Sequence, residues 1–181
     1  MPAVSIDNLI LDTDSYKLSH FTQYPDGTEF VSSYIEARSP WDAIDHVVFF
    51  GLQIELAKLR GAVVTQAMLD EATPFLGAHG FEIFRDGWQH IIDVHGGRLP
   101  VLIEALPEGT VVPVRVPQLR IENTDPACFW LVSYLGPRLW RAAWYASPVC
   151  SLSFAVNRSI REKMQITDGS TEGAEFKLHD F

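Results

Sequence analysis

The sequence predicts a fold of the α+β class, with an antiparallel, sandwich-like sheet accompanied by helices. Three short strands punctuated by prolines are expected in one part of the chain: 99–105, 110–114 and 118–122. Asp125 is expected to cap the apolar helix that follows, with Pro126 at its first position, where the missing amide costs no hydrogen bond. This buried helix should run to about Tyr145, and Ser147 should begin another that ends near Gln165.

The first part of the chain supplies shorter elements. A Pro-Asp-Gly turn at 25–27 precedes a strand expected over 29–37, which is rich in Phe, Val, Tyr and Ile. A short apolar strand is expected over 46–50. Gly51 then releases the backbone into a helix over 52–60, whose leucines recur at helical spacing.

Two further helices are expected before the strand cluster, over 66–79 and 88–95. Thr65 and Asp86 are their expected N-caps, because their side-chain oxygens can accept the free amide protons of a first turn. Gly96 is expected to end the second helix, since glycine readily adopts the left-handed conformation that follows a helix.

The composition limits what the protein can be. With 181 residues, 47% of them hydrophobic, the chain is globular and long enough for one sizeable core. The formal net charge of −9 argues against nucleic acid and membranes as partners. Cys128 and Cys150 lack metal-ligand spacing and are expected to be buried thiols in a reducing compartment. With neither a signal-peptide pattern nor a membrane-spanning run, a soluble, cytoplasmic protein is expected.

The stretch richest in chemical groups is 11–20, Leu-Asp-Thr-Asp-Ser-Tyr-Lys-Leu-Ser-His. We expect Asp14 to cap a short helix whose first residues, Ser15, Tyr16 and Lys17, point outward. The Asp-x-Asp pattern is also similar to the phosphatase signature of the haloacid dehalogenase family. Tyr16, however, stands where that family needs a small hydroxyl or β-branched residue, and no later acidic pair suits its magnesium.

The end of the sequence has an unusual pattern. Residues 175–181 are expected to form a strand that stops on an aromatic residue, Phe181, whereas chain ends are normally polar. We expect this to be the first strand of a larger structure, which further chain or a partner supplies.

Short motifs occur in order along nearly the whole chain. They are Asp12-Thr13-Asp14-Ser15-Tyr16-Lys17, Gln23-Tyr24-Pro25, Glu36-Ala37-Arg38, Phe50-Gly51-Leu52-Gln53, Pro107-Glu108-Gly109, Glu122-Asn123-Thr124-Asp125-Pro126 and Lys177-Leu178-His179-Asp180-Phe181. The ordered series resembles the N-terminal portion of the nicotinamide phosphoribosyltransferases, which are type II phosphoribosyltransferases.

The resemblance implies an α+β N-terminal domain at 1–168 and the start of an α/β barrel domain at 169–181. The activity it implies is transfer of phosphoribosyl from phosphoribosyl pyrophosphate to nicotinamide, giving nicotinamide mononucleotide and pyrophosphate in NAD salvage. Magnesium is implied only with the phosphoribosyl pyrophosphate, with no metal held by the protein. The implied assembly is a homodimer with active sites shared between subunits.

The resemblance also assigns substrate-binding residues. A flat pyridine ring is best held between two aromatic faces, which orient it without competing for its nitrogen. Tyr16 of one subunit and Phe181 of the other are implied to form this sandwich, with Asp14 beside the base. Arg38 is implied to reach a phosphate across the interface, because a guanidinium fork suits phosphate oxygens. For Lys17 a structural or solvated role is expected.

The family's remaining phosphate-binding arginines, its histidine in the catalytic site and its base-selecting acid lie beyond Phe181. The resemblance therefore implies no catalytic residue in this sequence and an inactive isolated chain. Two alternatives stay open. One is a non-catalytic dimerisation or binding module that kept the base platform, and the other is a nicotinate phosphoribosyltransferase, which shares the fold.

Overall fold

The computed structural model describes residues 4–41 and 44–178. The α-helices in these ranges are α1 Leu52–Lys58, α2 Gln66–Ala78, α3 Arg85–His95 and α4 Leu131–Asp168. The β-strands are β1 Ser32–Ile35, β2 His46–Val48, β3 Val101–Ala105, β4 Val111–Pro113 and β5 Leu119–Asn123. The 3-10 helices are Leu9–Leu11, Ser15–Thr22, Pro126–Cys128 and Ala174–Phe176. This mixture confirms the α+β class.

The strands pair antiparallel, as expected, but the three clustered strands divide between two separate sheets. In the larger sheet β5 lies between β1 and β3, with Ile121 opposite both Ser33 and Ile103. The smaller sheet pairs β2 with β4. After β3 the chain leaves the larger sheet. Phe49, next to β2, exchanges backbone hydrogen bonds with Gly109 and Thr110, just before β4, at 2.8 and 3.0 Å. These bonds place β4 beside β2.

The first half of α4 is the centre of the hydrophobic core. Its Leu131, Leu135 and Leu139 are each at most 1% exposed. Trp88 of α3 meets Trp130 edge to face with 4.8 Å between the ring centroids. Burial of such large apolar side chains is the main favourable term in folding.

One 38-residue helix, α4, replaces the two helices expected on either side of Ser147. Pro137 and Pro148 lie inside it. Ser147 accepts a hydrogen bond from the Phe50 amide at 3.1 Å, and Ser151 accepts one from the Val48 amide at 2.8 Å. Hydrogen bonds from the end of β2 and the residues just after it thus keep α4 continuous through a proline that would otherwise tend to kink or end a helix.

The helix starts were predicted with mixed success. The Thr65 side chain caps α2 by accepting a hydrogen bond from the Met68 amide at 3.3 Å, as expected. The Asp86 prediction is wrong, since α3 begins at Arg85 and its N-cap is Phe84. Gly96 ends α3 in the left-handed conformation, which confirms that signal.

The strand predicted over 175–181 is wrong for 175–178, the part that the structure describes. Residues Ala174–Phe176 form a turn of 3-10 helix after Gly173, which adopts a φ of 78°. The rest of that expected strand, 179–181, lies outside the described residues.

The domain boundary between 168 and 169 stays a prediction, and α4 ends at the same place. No helix in the described ranges combines the length and the apolar character needed to cross a bilayer.

We expect Gly51→Ala to lower the free energy of unfolding by about 2–4 kcal/mol. Gly51 has a φ of +99°, and an added Cβ would lie 2.5 Å from Ala146 Cβ and 2.7 Å from the Ala142 carbonyl oxygen. Gly27→Ala is the matched control, because Gly27 has a φ of +80° with nothing within 4 Å of the added carbon. Urea unfolding should show a loss of only about 1 kcal/mol for the control; equal losses would contradict the close packing of α1 against α4.

Candidate functional site

The polar motif at 12–17 is anchored to the start of α4. Thr13 donates a hydrogen bond to the Tyr134 carbonyl at 2.9 Å, and the Tyr134 hydroxyl donates to the Ile10 carbonyl. Burial raises the pKa of Tyr134 above its usual range, so its hydroxyl stays a donor. Ile10 and Leu18 on either side of the motif are buried. The segment therefore presents its polar side chains from a fixed backbone.

An ion-pair network reinforces this anchor. Arg138 lies between two carboxylates, at 3.1 Å from Asp12 and in direct contact with Glu55 of α1. Its side chain is 17% exposed and that of Glu55 is 12% exposed. Arg141, with 47% exposure, contacts the other oxygen of Asp12. One arginine of α4 thus joins the motif segment to α1.

Tyr16 and Asp14 are brought together at the surface. The Tyr16 hydroxyl donates to Asp14 Oδ2 at 3.0 Å, and this hydrogen bond raises the pKa of Tyr16 above its ordinary value. Tyr16 is 57% exposed. Its ring lies 5.4 Å from the His20 ring and 5.3 Å from Lys17 Nζ. The arrangement offers one open aromatic face in a defined orientation, with a carboxylate at its edge.

Asp14 is the N-cap residue of the helix Ser15–Thr22, as expected. Its side chain, however, makes no hydrogen bond to the backbone of that helix, which is of the 3-10 type. The carboxylate is engaged by the Tyr16 hydroxyl instead. The predicted cap is therefore correct in position and wrong in its hydrogen bond.

Lys17 and His20 meet on Ser133 of α4, a residue that the sequence did not single out. Lys17 Nζ donates to Ser133 Oγ at 3.0 Å, and His20 Nδ1 lies 3.0 Å from the same oxygen. Burial lowers the pKa of His20, and the Lys17 charge lowers it further. A neutral His20 can accept the Ser133 proton while Ser133 accepts from Lys17. This arrangement agrees with the structural role expected for Lys17.

Arg38 lies in a different part of the molecule. It is exposed and lines a cavity of about 710 Å³ bounded by the end of β1, by β2 and by α4. Trp140 and Trp144 of α4 are stacked there, with 4.8 Å between ring centroids. Arg115, which has a φ of 67°, donates its amide to the Ala37 carbonyl at 2.8 Å and so holds the backbone before Arg38.

The structure thus joins two of the four residues that the sequence assigned to substrate. Asp14 and Tyr16 are hydrogen-bonded to each other, whereas Arg38 lines a cavity whose wall contains neither of them. Phe181 lies outside the described residues.

A second group of chemically active side chains, which we call the 90–128 cluster, was missed in the sequence. It consists of His90, His95, Asp125 and Cys128. Nε2 of His90 and Nε2 of His95 lie 2.7 and 2.6 Å from the same oxygen, Asp125 Oδ2. The hydrogen bonds from His90 and His95 lower the pKa of Asp125 to about 2. Burial raises the pKa of Cys128 to about 12.

Comparisons with known proteins agree with this fold and motif order. A family model described as the N-terminal domain of nicotinamide phosphoribosyltransferase matches residues 8–103. A nicotinamide phosphoribosyltransferase of Xanthomonas campestris pv. campestris is 44% identical over 177 residues, which are 97% of this chain and 37% of that protein. One of Acinetobacter baylyi is 31% identical over 183 residues, covering 93% of this chain and 36% of that protein.

A solved structure of human nicotinic acid phosphoribosyltransferase superposes with a TM-score of 0.59 at 24% identity, covering 83% of this chain and 29% of that one. The fold is therefore that of a type II phosphoribosyltransferase. Within this class, the chain belongs to the nicotinamide phosphoribosyltransferase family, since the family model covers more than half of it. The chain spans about a third of the length of the bacterial relatives it matches, 37% and 36%.

We expect Arg138→Met to lower the free energy of unfolding by about 2–4 kcal/mol, because it leaves two carboxylates without their shared partner. Arg141→Met is the matched control, since Arg141 is 47% exposed and its ion pair is with the other oxygen of Asp12. Its loss should be about 0.5 kcal/mol. Chemical unfolding of both variants measures the difference, and a similarly small loss at Arg138 would show that the network does not anchor the motif.

Proposed function

We propose that the protein transfers phosphoribosyl from phosphoribosyl pyrophosphate to nicotinamide, giving nicotinamide mononucleotide and pyrophosphate. The observation that carries this proposal is the exposed Tyr16 ring, oriented by Asp14 on an anchored segment in a chain of this family. In the reaction the pyridine nitrogen attacks the anomeric carbon as pyrophosphate leaves. Fixing the plane of the ring raises the frequency of productive attack.

Each substrate-binding residue has a separate part in this proposal. Tyr16 stacks on one face of the pyridine, and Asp14 lies close enough to orient the ring or its amide. Phe181 of a second subunit stacks on the other face. Arg38, exposed at the end of β1, provides a guanidinium fork for a phosphate of the second substrate. We place the groups that promote departure of pyrophosphate outside these 181 residues, so the isolated chain is proposed to be inactive.

The proposal includes a homodimer, because among the described residues the cavity that Arg38 lines does not include Tyr16. Exposed aromatic residues of α4, Trp140, Trp144 and Tyr145, provide apolar surface that a second subunit can cover. Active sites shared between two subunits would unite residues that one subunit keeps apart. We propose a cytoplasmic location for this assembly.

Magnesium belongs to the proposal as part of the phosphoribosyl pyrophosphate substrate, whose charge it neutralises. The 90–128 cluster does not fit magnesium, because nitrogen and sulfur donors dominate it and magnesium prefers oxygen. Magnesium is therefore not assigned to residues of this chain.

Tyr16→Ala, made in a full-length protein that contains this chain together with the groups proposed to lie outside it, should lower kcat/KM for nicotinamide by about 10- to 100-fold, because base–aromatic stacking is worth about 1–3 kcal/mol. Tyr16→Phe is the control that keeps the ring and removes the hydrogen bond to Asp14. It should retain activity within about threefold. Mononucleotide formation is assayed with nicotinamide and with nicotinate in parallel. Turnover of nicotinate but not of nicotinamide would show that nicotinate is the substrate. An equal loss of activity in Tyr16→Ala and Tyr16→Phe would contradict stacking on the Tyr16 ring.

Co-expression of Tyr16→Ala and Phe181→Ala subunits tests the shared site. If the two rings come from different subunits, each mixed dimer contains one site with both rings intact. Random pairing of subunits should then restore about one quarter of the wild-type activity, although each variant alone is nearly inactive. A mixture no more active than the single variants would show that both rings belong to one subunit, or that Phe181 does not contact the base.

A further inference from the structure

The 90–128 cluster joins two segments that are separated in the sequence. His90 and His95 lie in the second half of α3, whereas Asp125 and Cys128 belong to the 3-10 turn that follows β5. One ligand atom from each of the four side chains can be chosen so that all lie within 4.8 Å of one another. Two imidazoles, one carboxylate and one thiol therefore converge on a single point.

We propose that the 90–128 cluster is a structural zinc site. Zinc takes four ligands in a tetrahedron and binds imidazole nitrogen, carboxylate oxygen and thiolate sulfur at about 2.0–2.3 Å, which separates neighbouring ligand atoms by about 3.3–3.8 Å. In the structure the shortest distance between ligand atoms is 2.6 Å, from His95 Nε2 to Asp125 Oδ2, and all the distances are within 4.8 Å. Some are therefore shorter than that range and others are longer. Shifts of about 1 Å or less would admit the metal; each imidazole that binds it through Nε2 would carry its proton on Nδ1, and the thiol proton would pass to solvent.

The surroundings of the cluster favour a fixed site. Asp125 Oδ1 accepts a hydrogen bond from the Ala127 amide at 2.9 Å, which orients Oδ2 toward the histidines. The buried side chain of Asn123 donates to the Asp125 carbonyl at 2.8 Å and holds the backbone of the turn. Such supporting hydrogen bonds set the orientation of metal ligands.

Burial is graded across the cluster. Cys128 is fully buried, whereas the side chains of His90 and His95 are 31% and 27% exposed. A metal can therefore enter from the histidine side and meet the thiol on the inner side. Four protein ligands leave no position for substrate, which is the property of structural and not of catalytic zinc sites.

The sequence spacing also suits zinc. The histidines are separated by four residues, and Asp125 and Cys128 by two. These gaps fall in the ranges of the two ligand pairs in common structural zinc sites, with an aspartate in place of one cysteine. The proposed metal would tie α3 to the turn before α4. The site contains none of the residues proposed to bind substrate, so this inference stands independently of the proposed transferase activity.

The test uses the purified protein, stripped of metal by a chelator and titrated with Zn²⁺, and with Co²⁺ as a spectroscopic probe. We expect one Zn²⁺ per chain at this site and a melting temperature raised by about 5 °C or more at a hundredfold excess over Kd. Co²⁺ should give the visible bands of tetrahedral coordination and a thiolate-to-metal charge-transfer band. No zinc-dependent stabilisation, or Co²⁺ spectra of octahedral coordination alone, would overturn the proposal.

Variants assign the metal to these side chains. Cys128→Ser should abolish the charge-transfer band, and His95→Gln should weaken Zn²⁺ binding by more than about tenfold, since loss of groups that only support a ligand already costs that much. Cys150→Ser and His79→Gln are matched controls, because Cys150 lies on α4 and His79 hydrogen-bonds to Ser15. Circular dichroism checks that each variant is folded. If Cys128→Ser does not fold, His95→Gln still tests the assignment. Loss of binding in the controls, or its retention in His95→Gln, would contradict the assignment.

Discussion

The ion-pair network around Arg138 is the constraint that holds both the motif segment at 12–17 and helix α1 against α4. Arg138 joins Asp12 of the motif segment to Glu55 of α1, at a place where all three side chains are shielded from water to different degrees. Pairing offsets the cost of removing a charge from water, so either carboxylate would lose part of that compensation if it moved away from Arg138. Helix α4 is thereby the common support of both segments.

This support explains how an exposed tyrosine can have a defined orientation. Surface aromatic side chains usually sample several rotamers, but the backbone under Tyr16 is fixed by Thr13 on one side and by buried Leu18 on the other. The hydrogen bond to Asp14 then fixes the direction of the ring. Orientation before binding reduces the entropy that a ligand must overcome, which suits a platform for a flat base.

Much of the fold was predicted from local patterns in the sequence, and the predictions that failed did so for physical reasons. The strand cluster and the Thr65 cap were predicted because periodicity and capping act between residues that are close in sequence. The break expected at Ser147 failed because hydrogen bonds from Val48 and Phe50, about a hundred residues earlier, stabilise the helix through Pro148. The strand expected over 175–178 failed because strand propensity depends on a neighbouring strand with which to pair.

The sequence by itself determined the α+β class and, through its ordered motifs, the family; the hydrogen bond between Tyr16 and Asp14, although local, emerged only from the structure. Only the tertiary structure decided that Ser133 receives Lys17 and His20, that Arg38 lies away from Tyr16, and that the 90–128 cluster exists. The reason is that these contacts join residues 30 to more than 100 positions apart. Their meeting is set by how helices and strands pack, which no local spacing encodes.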